Sequence, residues 1–140
     1  MADGYGVYTR TDGNRYVGEW KEDKQHGKGV EVWADGSKYN GYYQNGAKHG
    51  QGKLSWVNGS FYNGEFVENN MHGQGHYQWP NRRSYKGNWV RNAMDGKGVM
   101  EWPEDQRSYE GNFKNDMLHG RGAMYWPDGR CYDGEWLNGT

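Results

Sequence analysis

The sequence predicts an all-β protein, an elongated single-layer antiparallel sheet of stacked β-hairpins. Three observations predict it. Aromatic residues and glycines recur at a step of 23 residues, polar and apolar residues alternate between the turns, and Asp-Gly or Asn-Gly dipeptides punctuate the segments.

The chain has 140 residues and is only 33% hydrophobic, with a mean hydropathy of -1.31, which is low for a globular core. Disordered chains share that property but lack aromatics, whereas this one carries eight Trp, twelve Tyr and three Phe. Its 24 glycines do not follow a Gly-X-Y pattern, and no apolar run approaches the roughly 18 residues of a membrane span. Met1-Ala2-Asp3-Gly4 has neither a basic start nor an apolar stretch, so the expected setting is cytoplasmic. The single cysteine, Cys131, excludes an internal disulfide and any Cys/His zinc spacing. A formal net charge of -1 argues against a nucleic-acid partner.

Taken in order, the first elements are Gly4-Tyr5-Gly6 and the turn Asp12-Gly13. Tyr-x-Gly-x-aromatic follows as Tyr16-Gly18-Trp20, Tyr39-Gly41-Tyr43, Tyr62-Gly64-Phe66, Tyr85-Gly87-Trp89, Tyr109-Gly111-Phe113 and Tyr132-Gly134-Trp136. Seven residues after each of the first five comes a Gly-x-Gly pair: Gly27/Gly29, Gly50/Gly52, Gly73/Gly75, Gly96/Gly98 and Gly120/Gly122. Four residues further stand Trp33, Trp56, Trp79, Trp102 and Trp126, and then the turns Asp35-Gly36, Asn58-Gly59 and Asp128-Gly129. Asn81-Arg82 and the stretch Pro103 to Arg107 lack the turn glycine, so irregular turns are expected at both. Two short strands and two turns fit within each period. Alternation puts Tyr16, Gly18 and Trp20 on one face with Gly27, Gly29, Glu31 and Trp33, and leaves a mostly polar opposite face. Glycines between rings leave slots in which a neighbouring ring can lie on the backbone. Each hairpin alone is marginal, so stability must come from stacking.

This arrangement of Tyr-x-Gly-x-Trp, His-Gly-x-Gly and Asp-Gly resembles the MORN (membrane occupation and recognition nexus) repeat. The resemblance covers essentially the whole chain as a single array: a half copy at 3–15, full copies at 16–38, 39–61, 62–84, 85–108 and 109–131, and a half copy at 132–140. It implies a non-enzymatic scaffold, cytoskeletal, ciliary or membrane-apposed, that holds a helical or extended segment of a partner protein. It also carries two alternatives: an anionic phospholipid (phosphoinositide) module, and a regulatory segment of a larger enzyme such as a lipid kinase.

The residues themselves favour a protein partner on the aromatic face, because a single-layer sheet has no second layer to cover it. The expected contact residues are Tyr39, Tyr43, Trp56, Tyr62, Phe66, Trp79, Tyr85, Trp89 and Trp102; the competing reading is that ring packs on ring and closes the face. For an anionic lipid surface the candidates are Arg15, Lys38, Arg82, Arg83, Arg107 and Arg130, although Asp12, Asp35, Asp105 and Asp128 make that edge mixed. The His26, His49, His72 and His119 column suggests a metal, but successive copies sit about 9 to 10 Å apart, too far to share one zinc. No catalytic residue, cofactor or metal is expected. The half copies predict edge strands at Gly4 to Asp12 and Tyr132 to Asn138, through which chains could self-associate.

Overall fold

The structure is a computed structural model that describes residues 4–137. Among the described residues every regular element is a strand: β1(Gly4–Thr9), β2(Arg15–Lys21), β3(Lys24–Val32), β4(Lys38–Gln44), β5(Ala47–Ser55), β6(Phe61–Val67), β7(Asn70–Gln78), β8(Ser84–Val90), β9(Ala93–Trp102), β10(Arg107–Lys114), β11(Met117–Tyr125) and β12(Cys131–Trp136). Asp3, Asn138 and Thr140, which the sequence reading places in the half copies, lie outside the described residues.

The chain divides into two compact units, Met1–Asn70 and Met71–Thr140. Within each, every strand pairs antiparallel with its neighbours in the chain, giving the single antiparallel layer that the alternation predicts.

The registers align glycine with glycine. In the first unit Gly18, Gly29, Gly41, Gly52 and Gly64 face one another across successive strands, and in the second Gly75, Gly87, Gly98, Gly111, Gly122 and Gly134 do the same. A Cβ on Gly41 would stand 2.5 Å from the Gly52 Cα and 2.6 Å from the Tyr39 hydroxyl, so only hydrogen fits there. The tyrosine two residues earlier lies over that gap. Its hydroxyl donates to the carbonyl three residues on, Tyr39 to Tyr42 and Tyr85 to Asn88, each at 2.8 Å. A buried hydroxyl needs such an acceptor, which explains why the column is Tyr rather than Phe.

Within each unit such a ring meets end-aromatics edge to face, and Tyr39 and Tyr85 each meet two, their own and that of the following copy. Tyr39 packs on Tyr43 at 5.2 Å and on Phe66 at 5.3 Å, and Tyr85 on Trp89 at 5.3 Å and on Phe113 at 4.8 Å. The core is therefore a herringbone of T-shaped pairs, a geometry favoured by the ring quadrupole by about 0.5–1.5 kcal/mol per pair beyond burial.

The two glycines of each Gly-x-Gly pair have different purposes. The second is the slot beneath the tyrosine. The first has positive φ, 64° at Gly27, and accompanies a register shift in which Gly18 faces Gly29 but Trp20 faces Gln25. It is a β-bulge, which bends the strand.

Turns alternate between two kinds. The Asp-Gly turns close with Trp33 N–H on Ser37 O and Gly36 N–H on Trp33 O, while the Asp35 carboxylate accepts from Ser37 N–H. This is the three-residue hairpin loop ending in a left-handed residue. Asn81-Arg82 does not depart from it as expected: Trp79 and Arg83 make the same bonds, and Arg82 takes the glycine's place at φ 72°. The turn after Trp102 does differ, running through Asp105 N–H on Trp102 O and Gln106 N–H on Pro103 O.

The other turns are two-residue turns with both residues at positive φ: Glu22-Asp23, Asn45-Gly46, Glu68-Asn69, Arg91-Asn92 and Asn115-Asp116. The second residues of the last three form a clamp. Asn69 Oδ1 accepts from Lys48 N–H while Asn69 N–H donates to Lys48 O; Asn92 does this to Met71 and Asp116 to Met94.

Candidate protein-binding faces

The predicted contact residues separate into two sets. Tyr39, Tyr62 and Tyr85 are fully buried, and Phe66, Trp89 and Tyr43 nearly so. These six are the core itself and cannot meet a partner. The physical reason is the glycine row: with no Cβ in the way, each ring lies down on the backbone beneath its neighbours instead of standing up from the sheet. Trp56, Trp79 and Trp102 do reach the surface, half-buried, as do Trp33 and Trp126 of the same column.

Burial also holds the phenols protonated. It pushes the Tyr16 hydroxyl up to about 12, and raises those of Tyr39, Tyr62, Tyr85 and Tyr109 above the usual range. Tyr43 is raised by burial first and then by the Glu31 carboxylate, to which its hydroxyl donates at 2.8 Å.

In the first unit the surface beside the rings is polar. Lys48 extends its ammonium 5.2 Å over Trp33 and 5.5 Å over Tyr39; burial lowers its pKa and Glu31 opposes that shift. The sequence reading did not single out Lys48. The signal was present, since its column reads Gln25, Lys48, Met71, Met94 and Leu118, and a lysine among apolar residues on a ring face must find a cage or an anion.

In the second unit the same columns are apolar. Met94, Met100 and Met124 are buried, while Met71, Tyr77 and Leu118 are half-buried. Tyr77 lies 4.6 Å from Trp79. Guanidinium groups cover the tryptophans: Arg83 over Trp79 at 4.0 Å, Arg107 over Trp102 at 4.7 Å and Arg130 over Trp126 at 5.4 Å.

That stacking changes the reading of the basic residues, three of which already cover tryptophans. Arg107 and Arg130 are also ion-paired, to Asp105 at 3.2 Å and Asp128 at 2.6 Å. Arg15 and Lys38 are exposed residues that begin β2 and β4, and Arg82 is an exposed turn residue. Among the described residues no three His, Cys, Asp or Glu side chains come together to hold a metal. His72 Nδ1 instead accepts from the Arg91 N–H of the next turn at 3.4 Å.

Comparison with known proteins bears on the family alone. No curated protein matches the chain. Among solved structures it is similar to the TCP domain of SAS-4 (dCPAP) from Drosophila melanogaster, in complex with a proline-rich motif of Ana2 (dSTIL), at 12% identity and a TM-score of 0.40 over 94% of this chain and 90% of that one. It is also similar to virginiamycin B lyase from Staphylococcus aureus, at 14% identity and a TM-score of 0.22 over 98% of this chain and 42% of that one. Both TM-scores are too low to establish a shared fold. The MORN repeat model matches residues 1–15, 16–38, 39–61, 62–82, 85–107, 109–129 and 132–140, which is nearly the whole chain, and with the Tyr-x-Gly-x-aromatic hairpins just described it shows that the chain belongs to the MORN repeat family.

Proposed function

We propose that this repeat module is a non-enzymatic adaptor that binds a helical or extended segment of a partner protein on the ring face of the second unit. The observation that carries the reading is the surface made there by Met71, Tyr77, Trp79, Trp102, Leu118 and Trp126, half-buried apolar side chains interleaved with the stacked guanidiniums of Arg83, Arg107 and Arg130. Trp, Tyr and Arg are the residues that most often dominate interface energetics, and flexible Met side chains adapt to a partner's shape. A cytoplasmic setting in a cytoskeletal, ciliary or membrane-apposed assembly is part of the proposal. Direct lipid binding has less behind it, because Arg107 and Arg130 already have carboxylate partners.

Affinity capture from source cells tests the reading, with the wild-type chain compared against Trp79→Gln/Trp102→Gln. A partner retained by the first and lost by the second, while far-UV circular dichroism stays unchanged, is the expected outcome. Equal retention by both would overturn it.

A further inference from the structure

The face of the first unit opposite the rings holds a feature that a ring-face adaptor does not use. Alternation on β3 to β6 turns Lys28, Lys38, Asn40, Tyr42, Gln51, Lys53, Ser55 and Asn63 to this side, where they line a shallow trough of about 510 Å³ together with Gly41 and Gly52. Its only charged lining residues are the three lysines. All three are exposed, and among the described residues no carboxylate is ion-paired to any of them; Lys53 alone has a neighbour, its ammonium 4.8 Å over Phe61. The amides of Asn40, Gln51 and Asn63 add exposed hydrogen-bonding groups.

The corresponding face of the second unit shows that such a cluster is not a consequence of the repeat. The trough there is lined by Lys86, Lys97 and Arg121 but also by Glu110 and Asp133, and Arg121 pairs with Asp133 at 3.8 Å. The three lysines sit on successive strands, each opposite uncharged residues, with no carboxylate among the trough's lining residues. An external anion would balance them.

We propose that this lysine trough is a second docking surface, for an acidic, extended segment of a partner protein. Charge complementarity sets the sign of the occupant, and its width sets the class. Glu19, whose carboxylate accepts from Lys28 N–H, and Glu65, opposite Gln51 on β6, flank the trough on the same face. An anionic bilayer would meet both carboxylates, whereas a segment one strand wide passes between them. A single-stranded nucleic acid stacks its bases on a row of rings, and Tyr42 is the one aromatic side chain in the lining. In an extended peptide alternate residues point the same way, so carboxylates at every second position face the lysines together.

The probe is a fluorescein-labelled peptide of alternating Glu and Ser, titrated with the full chain and followed by anisotropy at low and at physiological ionic strength. Saturable binding is expected, weakened by salt as exposed charge pairs are. Lys28→Gln/Lys38→Gln/Lys53→Gln should weaken it by about tenfold or more, and Lys86→Gln/Lys97→Gln/Arg121→Gln by no more than about twofold. Circular dichroism melting confirms that each variant folds, and Lys38→Gln alone, at the exposed start of β4, should still give a measurable loss if the triple variant does not. Absence of saturable binding, or equal weakening by both triple variants, overturns the proposal. So does stronger attachment of the chain to phosphoinositide vesicles than to the peptide, lost on the same substitutions. Retention of peptide binding by Trp79→Gln/Trp102→Gln separates this surface from the ring-face reading.

Discussion

The two units are built on one frame and differ only in what the frame leaves free. Tyr39 and Tyr85 occupy equivalent sites, equally buried, each over a glycine pair and each bonded to the carbonyl three residues on. Beside them the first unit has Lys48 and Glu31 where the second has Met94 and Tyr77. The frame columns carry the fold. The free columns carry the individuality, which is charged in the first unit and apolar, with stacked arginine, in the second.

The hardest test of that equivalence is removal of the central rings. Tyr39→Ala and Tyr85→Ala should each cost about 3–5 kcal/mol, the range for deleting a buried aromatic side chain, with the orphaned carbonyl included. Set against a typical total of about 5–15 kcal/mol, either change is a large part of the stability. Urea midpoints should fall by similar amounts. A much smaller fall for Tyr39→Ala would show that the charged surroundings of the first unit had already loosened its core.

Alkaline pH should separate the units. A phenol whose folded pKa lies above its unfolded value of 10.0 contributes stability that is complete below pH 10 and is lost as pH rises through the folded value. For Tyr16 that window runs from 10.0 to about 12, and for the more strongly raised groups the loss continues beyond it. The first unit has Tyr16, Tyr39, Tyr43 and Tyr62 raised in this way, the second Tyr85 and Tyr109. Lys48 acts in the opposite sense. Its folded pKa is lowered, so it adds stability as pH climbs from that value to 10.5, a small gain before the larger loss. Tyr43→Phe, which installs the residue found at Phe66, should move the alkaline midpoint of the far-UV signal upward. An unmoved midpoint would mean that Tyr43 ionises without unfolding its hairpin.

Much of this was legible in the sequence, for reasons that particular residues make plain. Gly18, Gly41 and Gly64 announced the hairpins because a packing slot admits one residue type, and periodicity then located every strand. The contact residues were harder to read, because parity names a face and not a depth. Tyr62 and Trp56 share parity, yet Tyr62 lies buried over the glycine row while Trp56, next to a turn, stays half exposed. The clamp made by Asn69, Asn92 and Asp116 was harder to read because those positions lack the glycine that marks a left-handed turn residue at Gly46.

Exchange of the free columns sharpens the comparison further. Lys48→Met installs the residue of Met71 and Met94, but it removes the cation near Glu31 and should destabilise by about 1 kcal/mol. Glu31→Leu, copying Leu54, leaves Lys48 without its carboxylate and the buried Tyr43 hydroxyl without its acceptor, and should cost more. The double variant should recover the Lys48 part alone, so that the cycle returns a coupling of about 1 kcal/mol by thermal or urea unfolding. Additive losses would mean that Lys48 is held by Trp33 and Tyr39 alone.

The smallest effect expected is a gain, at a copy whose clamp is incomplete. Asn69 and Asn92 sit at φ 71° and 70°, with side chains that accept from the N–H of Lys48 and Met71. Gly46 holds the corresponding place at φ 84° and donates its N–H to Gln25 O, but has no side chain to receive the Gln25 N–H. Asn is the residue after glycine that best tolerates this left-handed conformation, and a Cβ on Gly46 would meet nothing within 4 Å. Gly46→Asn should therefore add one hydrogen bond and reduce the freedom of the unfolded chain, for a net gain of about 0.5–1 kcal/mol. A rise in the thermal midpoint, with slower amide exchange at Gln25, is the expected result. If exchange at Gln25 stayed unchanged, the clamp would be an accompaniment of the turn rather than one of the forces that set each hairpin on the one before it.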